Sequence, residues 1–198
     1  MITHDVVVVG GGSAGIAVAS SLLKRRPLLD IVVIEPRYKH FYQPGFTMVG
    51  GGVFKPLQTQ AFTEKVMPEG ARWIEAAVAE FTPEKNQVTL EDGSRIGYRQ
   101  LVVAPGLKLD WDAVEGLQET LGKNGVTSNY RFDYAPYTWE LVKNLSSGRA
   151  IFTQPKMPIK CAGAPQKAMY LSCDHWLRNE VLENIDVRFC NAGGALFG

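Results

Sequence analysis

The chain has 198 residues, 45% hydrophobic and 21% charged, enough for one large domain or one domain with part of another. Twenty-one Lys and Arg stand against 20 Asp and Glu, a formal charge of +1, so nothing points to nucleic acid, which needs a concentrated basic face. No stretch approaches the roughly 20 apolar residues that span a bilayer, and residues 1–5 lack the basic and apolar segments of a secretory signal, so the expected location is cytoplasmic.

The first element is Asp5-Val6-Val7-Val8-Val9, a β-branched run expected of a strand buried on both faces of a parallel sheet. Gly10-Gly11-Gly12-Ser13-Ala14-Gly15 follows directly, then a helix-compatible stretch over 16–26 that stops at Pro27. A second buried-type strand, Ile31-Val32-Val33-Ile34, closes on Glu35 and Pro36. Each glycine has a separate task in a dinucleotide-binding turn: Gly10 permits the sharp exit from the strand, Gly12 lets the backbone approach a pyrophosphate, and Gly15 brings the helix close to the strand. The helix start offers free N–H groups and the positive end of its dipole to the phosphates. Glu35 is placed to accept hydrogen bonds from ribose hydroxyls. A glycine-rich turn beside a solvated glutamate is the bland alternative, and it gives no reason for strand, helix and acid to follow in this order.

Residues 71–106 hold strand-like runs at 72–74, 77–81 and 87–91, a turn at Asp92-Gly93, and the hydrophobic strand Leu101-Val102-Val103 leading into Ala104-Pro105-Gly106. A β-rich insertion that ends in a small-residue turn resembles the flavoproteins with two dinucleotide-binding domains, which implies FAD as the dinucleotide. Their last strand ends in Ala-Thr-Gly beside the flavin. Here proline replaces the threonine, and Gly106 keeps close backbone approach possible.

Residues 107–145 read as a linker and entry, helical over 137–145, and a new first strand is expected over 149–154. Residues 155–165 contain one glycine and three prolines, where a pyrophosphate-cradling turn needs at least two correctly spaced glycines. The expected organisation is therefore an α/β fold: a Rossmann-like FAD-binding domain over 1–110 with its parallel sheet and β-rich insertion, then the start of a second Rossmann-like domain over 111–198 without a nicotinamide site. A helix is expected from about Gln166, with Pro165 suited to its start. The cysteines, Cys161, Cys173 and Cys190, are too few and too widely spaced for a disulfide framework or a zinc site. Cys173 on the helix and Cys190 in the strand Val187-Arg188-Phe189-Cys190 read most simply as core. On composition Cys161 is a small buried loop residue, and pairing with either of the others stays open. The histidines, His4, His40 and His175, are scattered and form no metal constellation. Residues 191–198 read as a strand and turn of the second domain, not a natural stop.

Two longer segments carry a more specific resemblance. His40-Phe41-Tyr42-Gln43-Pro44-Gly45-Phe46-Thr47, continuing through Gly50-Gly51-Gly52, and Pro158-Ile159-Lys160-Cys161-Ala162-Gly163-Ala164-Pro165-Gln166-Lys167 followed by Met169-Tyr170-Leu171, resemble sulfide:quinone oxidoreductases, closest to the branch with the mitochondrial enzymes. The resemblance implies an FAD-dependent enzyme, peripheral on the inner face of a membrane, that oxidises sulfide at a cysteine pair and passes two electrons to a quinone. It implies that Cys161 holds a persulfide or attacks the flavin face as a thiolate. Ser13, Ala14, Glu35, Gln43 and Val78 take FAD-contacting positions, with Val78 acting through its backbone. Lys160, Lys167 and the following helix could supply the positive potential that a thiolate needs. Phe41, Tyr42 and Phe46 are left between flavin packing and core. Relatives run to about twice this length, and the second redox cysteine and the membrane-docking region belong to the remainder. A dinucleotide-binding fragment without turnover and a type II NADH:quinone oxidoreductase are the alternatives, and the missing second glycine fingerprint weighs against the latter.

Overall fold

A computed structural model describes residues 2–195. In chain order its strands and helices are β1 (Ile2–Val9), α1 (Ser13–Arg25), β2 (Ile31–Ile34), β3 (Lys39–Phe41), α2 (Phe46–Gly50), β4 (Gln60–Phe62), α3 (Thr63–Val66), β5 (Ala71–Ile74), β6 (Val78–Thr82), β7 (Gln87–Leu90), β8 (Arg95–Val103), α4 (Leu117–Thr120), α5 (Ala135–Asn144), β9 (Gly148–Gln154), α6 (Ala164–Arg178) and β10 (Ile185–Asn191). They form two compact units, residues 1–42 with 60–108, and residues 43–59 with 109–198. Residues 43–59, which a linear reading leaves in the first domain, cluster with the second.

The first unit is built on a six-stranded sheet in the order β5-β2-β1-β8-β7-β6. β5, β2, β1 and β8 run parallel, while β7 and β6 add antiparallel. The α/β class with a mostly parallel sheet thus stands as expected. One detail differs: residues 72–74 belong to a parallel edge strand beside β2, and only β6, β7 and the start of β8 make the antiparallel addition. Period-two geometry sorts the valines of β1 to opposite faces. Val7 and Val9 join Val32, Ile34, Val88, Leu90, Ile96 and Tyr98 on one face. Val6 and Val8 join Ile31, Val33, Ala19 and Leu23 on the other. Burial of each such side chain contributes about 1.5–3 kcal/mol, so a charge at Val33, which has no exposed surface, would break the layer between β2 and α1.

α1 meets the sheet through Gly15, Ala19 and Leu23, its buried residues, spaced one turn apart and growing in size along the helix. It ends where the N–H of Arg26 closes on the Leu22 carbonyl (2.8 Å), before Pro27, which suits a stop. His4 is buried against the same region and its Nδ1–H donates to Asp30 Oδ2 (2.7 Å), tying β1 to the entry of β2.

In the second unit, β9 and β10 pair in parallel through a connection that contains α6, the β-α-β arrangement expected after residue 148. Trp176 of α6 is 1% exposed, and its indole N–H donates to the Val142 carbonyl of α5 (2.8 Å). Val142, Trp176 and Ile185 form the core there, with half-buried Cys173 packed against them. Cys190 is exposed, contrary to its expected place in the core. β10 alternates, with Val187 and Phe189 half-buried and Arg188 and Cys190 exposed, so Cys190 shares the outer face with Arg188. α2 lies against α5 and α6 within the same unit: a side chain at Gly51 would meet Leu171, and one at Gly52 would meet Trp139. Of the expected terminal strand and turn, Asn191 ends β10, and 196–198 lie outside the described residues. No helix among the described residues is long and apolar enough to cross a membrane.

Candidate functional site

In the first unit, the carboxyl ends of β1, β2 and β8 meet at one place, where ligands bind in open α/β sheets. Gly10 leaves β1 at φ +102°, a backbone conformation closed to ordinary side chains. Its N–H donates to the Ile34 carbonyl (2.8 Å), while the Ala104 N–H donates to Val9 (2.7 Å). Gly15 is the point of close approach: a Cβ there would collide with the Gly10 carbonyl oxygen and stand 3.1 Å from Val8 Cγ1. Around Gly12 an added Cβ would find no atom within 4 Å, so the outer side of the turn is open. Ile16 is the first residue whose N–H reaches back, to Gly12 (3.0 Å). Ser13 and Ala14, both exposed, begin the helix with N–H groups that have no intrahelical acceptor.

Glu35 follows β2 and is half-buried. Its Oε2 accepts from the Gly11 N–H (2.9 Å) and its Oε1 from the Arg37 N–H (3.0 Å). The Trp73 indole N–H donates to the Glu35 carbonyl (2.8 Å), and His40 Nδ1–H donates to the Gly11 carbonyl (3.2 Å). The acid is thereby held beside the glycine turn. Gly106 follows β8 at φ +81° and is exposed. Val78 opens β6 opposite Leu90 and packs its half-buried side chain on the core. An open turn, a helix start and a neighbouring acid make a cradle that fits the pyrophosphate and ribose of a dinucleotide.

Gln43 falls in the second unit, where its Nε2–H donates to the Tyr130 carbonyl (3.4 Å). It lines a cavity of about 460 Å³ together with Asn129, Tyr130, Lys160, Cys161 and Lys167, within the range of small-molecule sites. Pro165, Ile151 and Phe152 supply apolar wall. The amide oxygen of Asn129 is buried without a hydrogen-bond partner, close against Gly50, where an added Cβ would meet it.

Cys161 sits in the loop between β9 and α6, exposed and unpaired, with φ +60°. Cys173 and Cys190 are also free thiols. The Cys161 carbonyl accepts from the Ala164 N–H (2.8 Å) at the first turn of α6. Lys160 and Lys167, neighbours of Cys161 in sequence, share its cavity. Tyr130 donates its hydroxyl to the Lys160 carbonyl (2.6 Å). Burial pushes the Tyr130 phenol above its ordinary pKa, with the charge of Cys161 adding in the same direction, so the hydroxyl stays a donor. Burial alone pushes the Cys173 thiol up.

Residues 127–130 were not legible as site residues. Thr-Ser-Asn-Tyr lies in a stretch that reads as linker, and its one signal is a polar run without helix or strand periodicity. The aromatic cluster divides: Phe46 is buried, edge-to-face with Phe132 (5.9 Å, 64°), and belongs to the second unit, whereas Phe41 is half-buried and Tyr42 exposed in the first. No group of three metal-ligating side chains occurs among the described residues.

The glycine turn, the parallel sheet and the acid after the second strand define a Rossmann-like dinucleotide-binding fold. Residues 4–151 match the family described as pyridine nucleotide-disulphide oxidoreductase, and the chain belongs to it. The family is one of FAD-binding flavoproteins. Within it, the chain is 46% identical over 195 residues to the mitochondrial sulfide:quinone oxidoreductase of Dictyostelium discoideum, covering 97% of this chain and 43% of that protein. It is 36% identical to the mitochondrial sulfide:quinone oxidoreductase of Mus musculus, again over 195 residues, 98% of this chain and 43% of that protein. The solved sulfide:quinone oxidoreductase of Aquifex aeolicus superposes with a TM-score of 0.75 at 25% identity, covering 99% of this chain and 44% of that one. The chain spans less than half the length of these relatives.

Proposed function

We propose that the chain serves FAD-dependent oxidation of sulfide, with the electrons passed to a quinone and Cys161 carrying the sulfur. The observation that carries this reading is the setting of Cys161, open to solvent in a cavity that also holds Lys160 and Lys167. Gly10, Gly12, Ser13, Ala14, Gly15 and Glu35 hold the dinucleotide, with the backbones of Val78 and Gly106 beside it and Gln43 in the cysteine cavity. FAD, when bound, supplies a two-electron acceptor. Cys161 takes the sulfur: its thiol and hydrosulfide join as a persulfide, releasing two electrons and two protons. Lys160 and Lys167 attract the anionic sulfur species to the cavity, and the first turn of α6 directs its dipole at the loop. The 155–163 loop lacks the glycines of a nicotinamide-binding turn, which favours an electron partner other than NAD(P)H. The relatives' length beyond this chain is where a second cysteine and a surface for peripheral docking at a membrane would lie.

Anaerobic titration with sulfide of the FAD-loaded full-length protein tests this. Bleaching of the flavin is expected with sulfide and not with NADH, and Cys161→Ser should abolish it. A near-normal rate in the serine variant would sink the assignment of Cys161.

A further inference from the structure

Cys161 has a backbone that an L-residue other than glycine rarely adopts, φ +60°. Such a geometry persists only where its surroundings hold it. Both peptide groups flanking Cys161 are held. The carbonyl after it accepts from Ala164 N–H (2.8 Å), and the carbonyl before it, of Lys160, accepts from the Tyr130 hydroxyl (2.6 Å). The first bond is local and belongs to the start of α6. The second comes from a segment 30 residues away in sequence. Tyr130 is itself braced: its N–H donates to Ser128 Oγ (3.2 Å) and its carbonyl accepts from Gln43 (3.4 Å).

We propose that Tyr130 is a positioning residue for Cys161: its hydroxyl fixes the 160–161 peptide and so holds the thiol in the cavity that Lys160 and Lys167 share. The catalytic weight of this role rests on the reading of Cys161 as the sulfur-carrying residue, whereas the positioning can be measured without sulfide. A phenol is protonated across the neutral range and burial moves the Tyr130 pKa further up, so the bond to Lys160 is kept there. Tyr130→Phe keeps the ring and removes only the donor. The loop can then relax toward the extended backbone that cysteine prefers, and the thiol moves away from the lysines.

The test is alkylation of the purified chain by iodoacetate and by iodoacetamide, followed for each cysteine by peptide mass spectrometry. The ratio of the two rates reports positive charge beside the thiol and cancels changes in simple access. At Cys161 the iodoacetate-to-iodoacetamide ratio is expected to fall roughly two- to tenfold in Tyr130→Phe, the range set by losing one hydrogen bond. The ratio at exposed Cys190 and the slow labelling of half-buried Cys173 should stay as in the wild type. An unchanged ratio at Cys161 overturns the proposal. So does a fall accompanied by fast labelling of Cys173, because the hydroxyl would then be supporting the unit and not the thiol. Loss of sulfide-dependent bleaching is a separate question: a full-length protein that shows the charge-sensitive ratio at Cys161 but no bleaching refutes the sulfide reading and leaves the positioning intact.

Discussion

Substituting alanine at Gly10 and at Gly12 should separate the folding of the glycine turn from its binding. At Gly10 the new methyl would stand 2.6 Å from the Ala104 carbonyl carbon and 2.9 Å from Pro105 Cα, backbone atoms that cannot rotate away, and φ is +102°. A left-handed backbone costs an ordinary residue ~1–2 kcal/mol, and overpacking adds ~1–3 kcal/mol. The sum, about 2–5 kcal/mol, is a large share of the ~5–15 kcal/mol by which a domain is stable. At ~4–8 °C per kcal/mol for a unit of this size, Gly10→Ala should lower the melting temperature by about 10 °C or more. Gly12 differs on each count: φ is −73°, ψ is −175°, and nothing lies within 4 Å of the added carbon. Alanine is a poorer N-cap than glycine by a few tenths to ~1 kcal/mol, while the stiffer unfolded chain returns ~0.4–1 kcal/mol. Gly12→Ala should therefore melt within about 4 °C of the wild type. Its FAD affinity should nonetheless fall roughly tenfold or more, because the methyl occupies the surface that a charge-assisted phosphate contact needs. Circular dichroism melting and flavin fluorescence titration read the two effects. A Gly12→Ala chain that binds FAD as well as the wild type would refute the reasoning, and so would one that melts like Gly10→Ala.

Glu35→Ala should weaken FAD binding by roughly tenfold or more, the worth of a charged hydrogen bond, since it removes the ribose acceptor and frees the Gly11 and Arg37 N–H groups; an unchanged titration would contradict that. Trp176→Ala should cost about 3–5 kcal/mol in denaturant unfolding, because the indole is 1% exposed and bonded to Val142, and a loss below ~1 kcal/mol would contradict the packing. Burial raises the pKa of Cys173, so its thiolate fraction at neutral pH is reduced. Its alkylation should be the slowest of the three cysteines there and should gain most as pH rises through the raised value. The sign for stability is the same: the folded state prefers the protonated thiol, a preference fully present below the unfolded pKa and lost as pH rises through the folded one.

What was legible in the sequence is local in the chain. β1, the glycine turn, α1, β2 and Glu35 follow one another within 35 residues, and each signal fixes its neighbour's meaning. The outcome at Gly10 and Gly15 follows from the same steric facts that the spacing encodes. Residues 43–59 were not legible, because nothing in Gln43-Pro44-Gly45-Phe46 tells which unit its chain will join; that is decided by Phe132, Trp139 and Leu171, about 90 to 120 residues on. Gln43 accordingly lines the same cavity as Cys161. The strand at 72–74 is legible as a strand, but its pairing partner is non-local, so the sequence does not separate it from the insertion. At Cys190 two signals conflict: alternation along Val187-Arg188-Phe189-Cys190 puts it on the face of Arg188, while cysteine's general preference for burial points to the core, and alternation wins. Tyr130 could be found only from the fold, since its partner is a backbone carbonyl, which leaves no mark in the sequence.

The visible absorption spectrum of the purified chain, taken after incubation with FAD and gel filtration, is the most direct measurement. A flavin band that travels with the protein is expected, because the turn, the helix start and Glu35 all lie in one compact unit. Flavin that elutes free of the protein would contradict the assignment of residues 10–15 and Glu35 as the dinucleotide cradle.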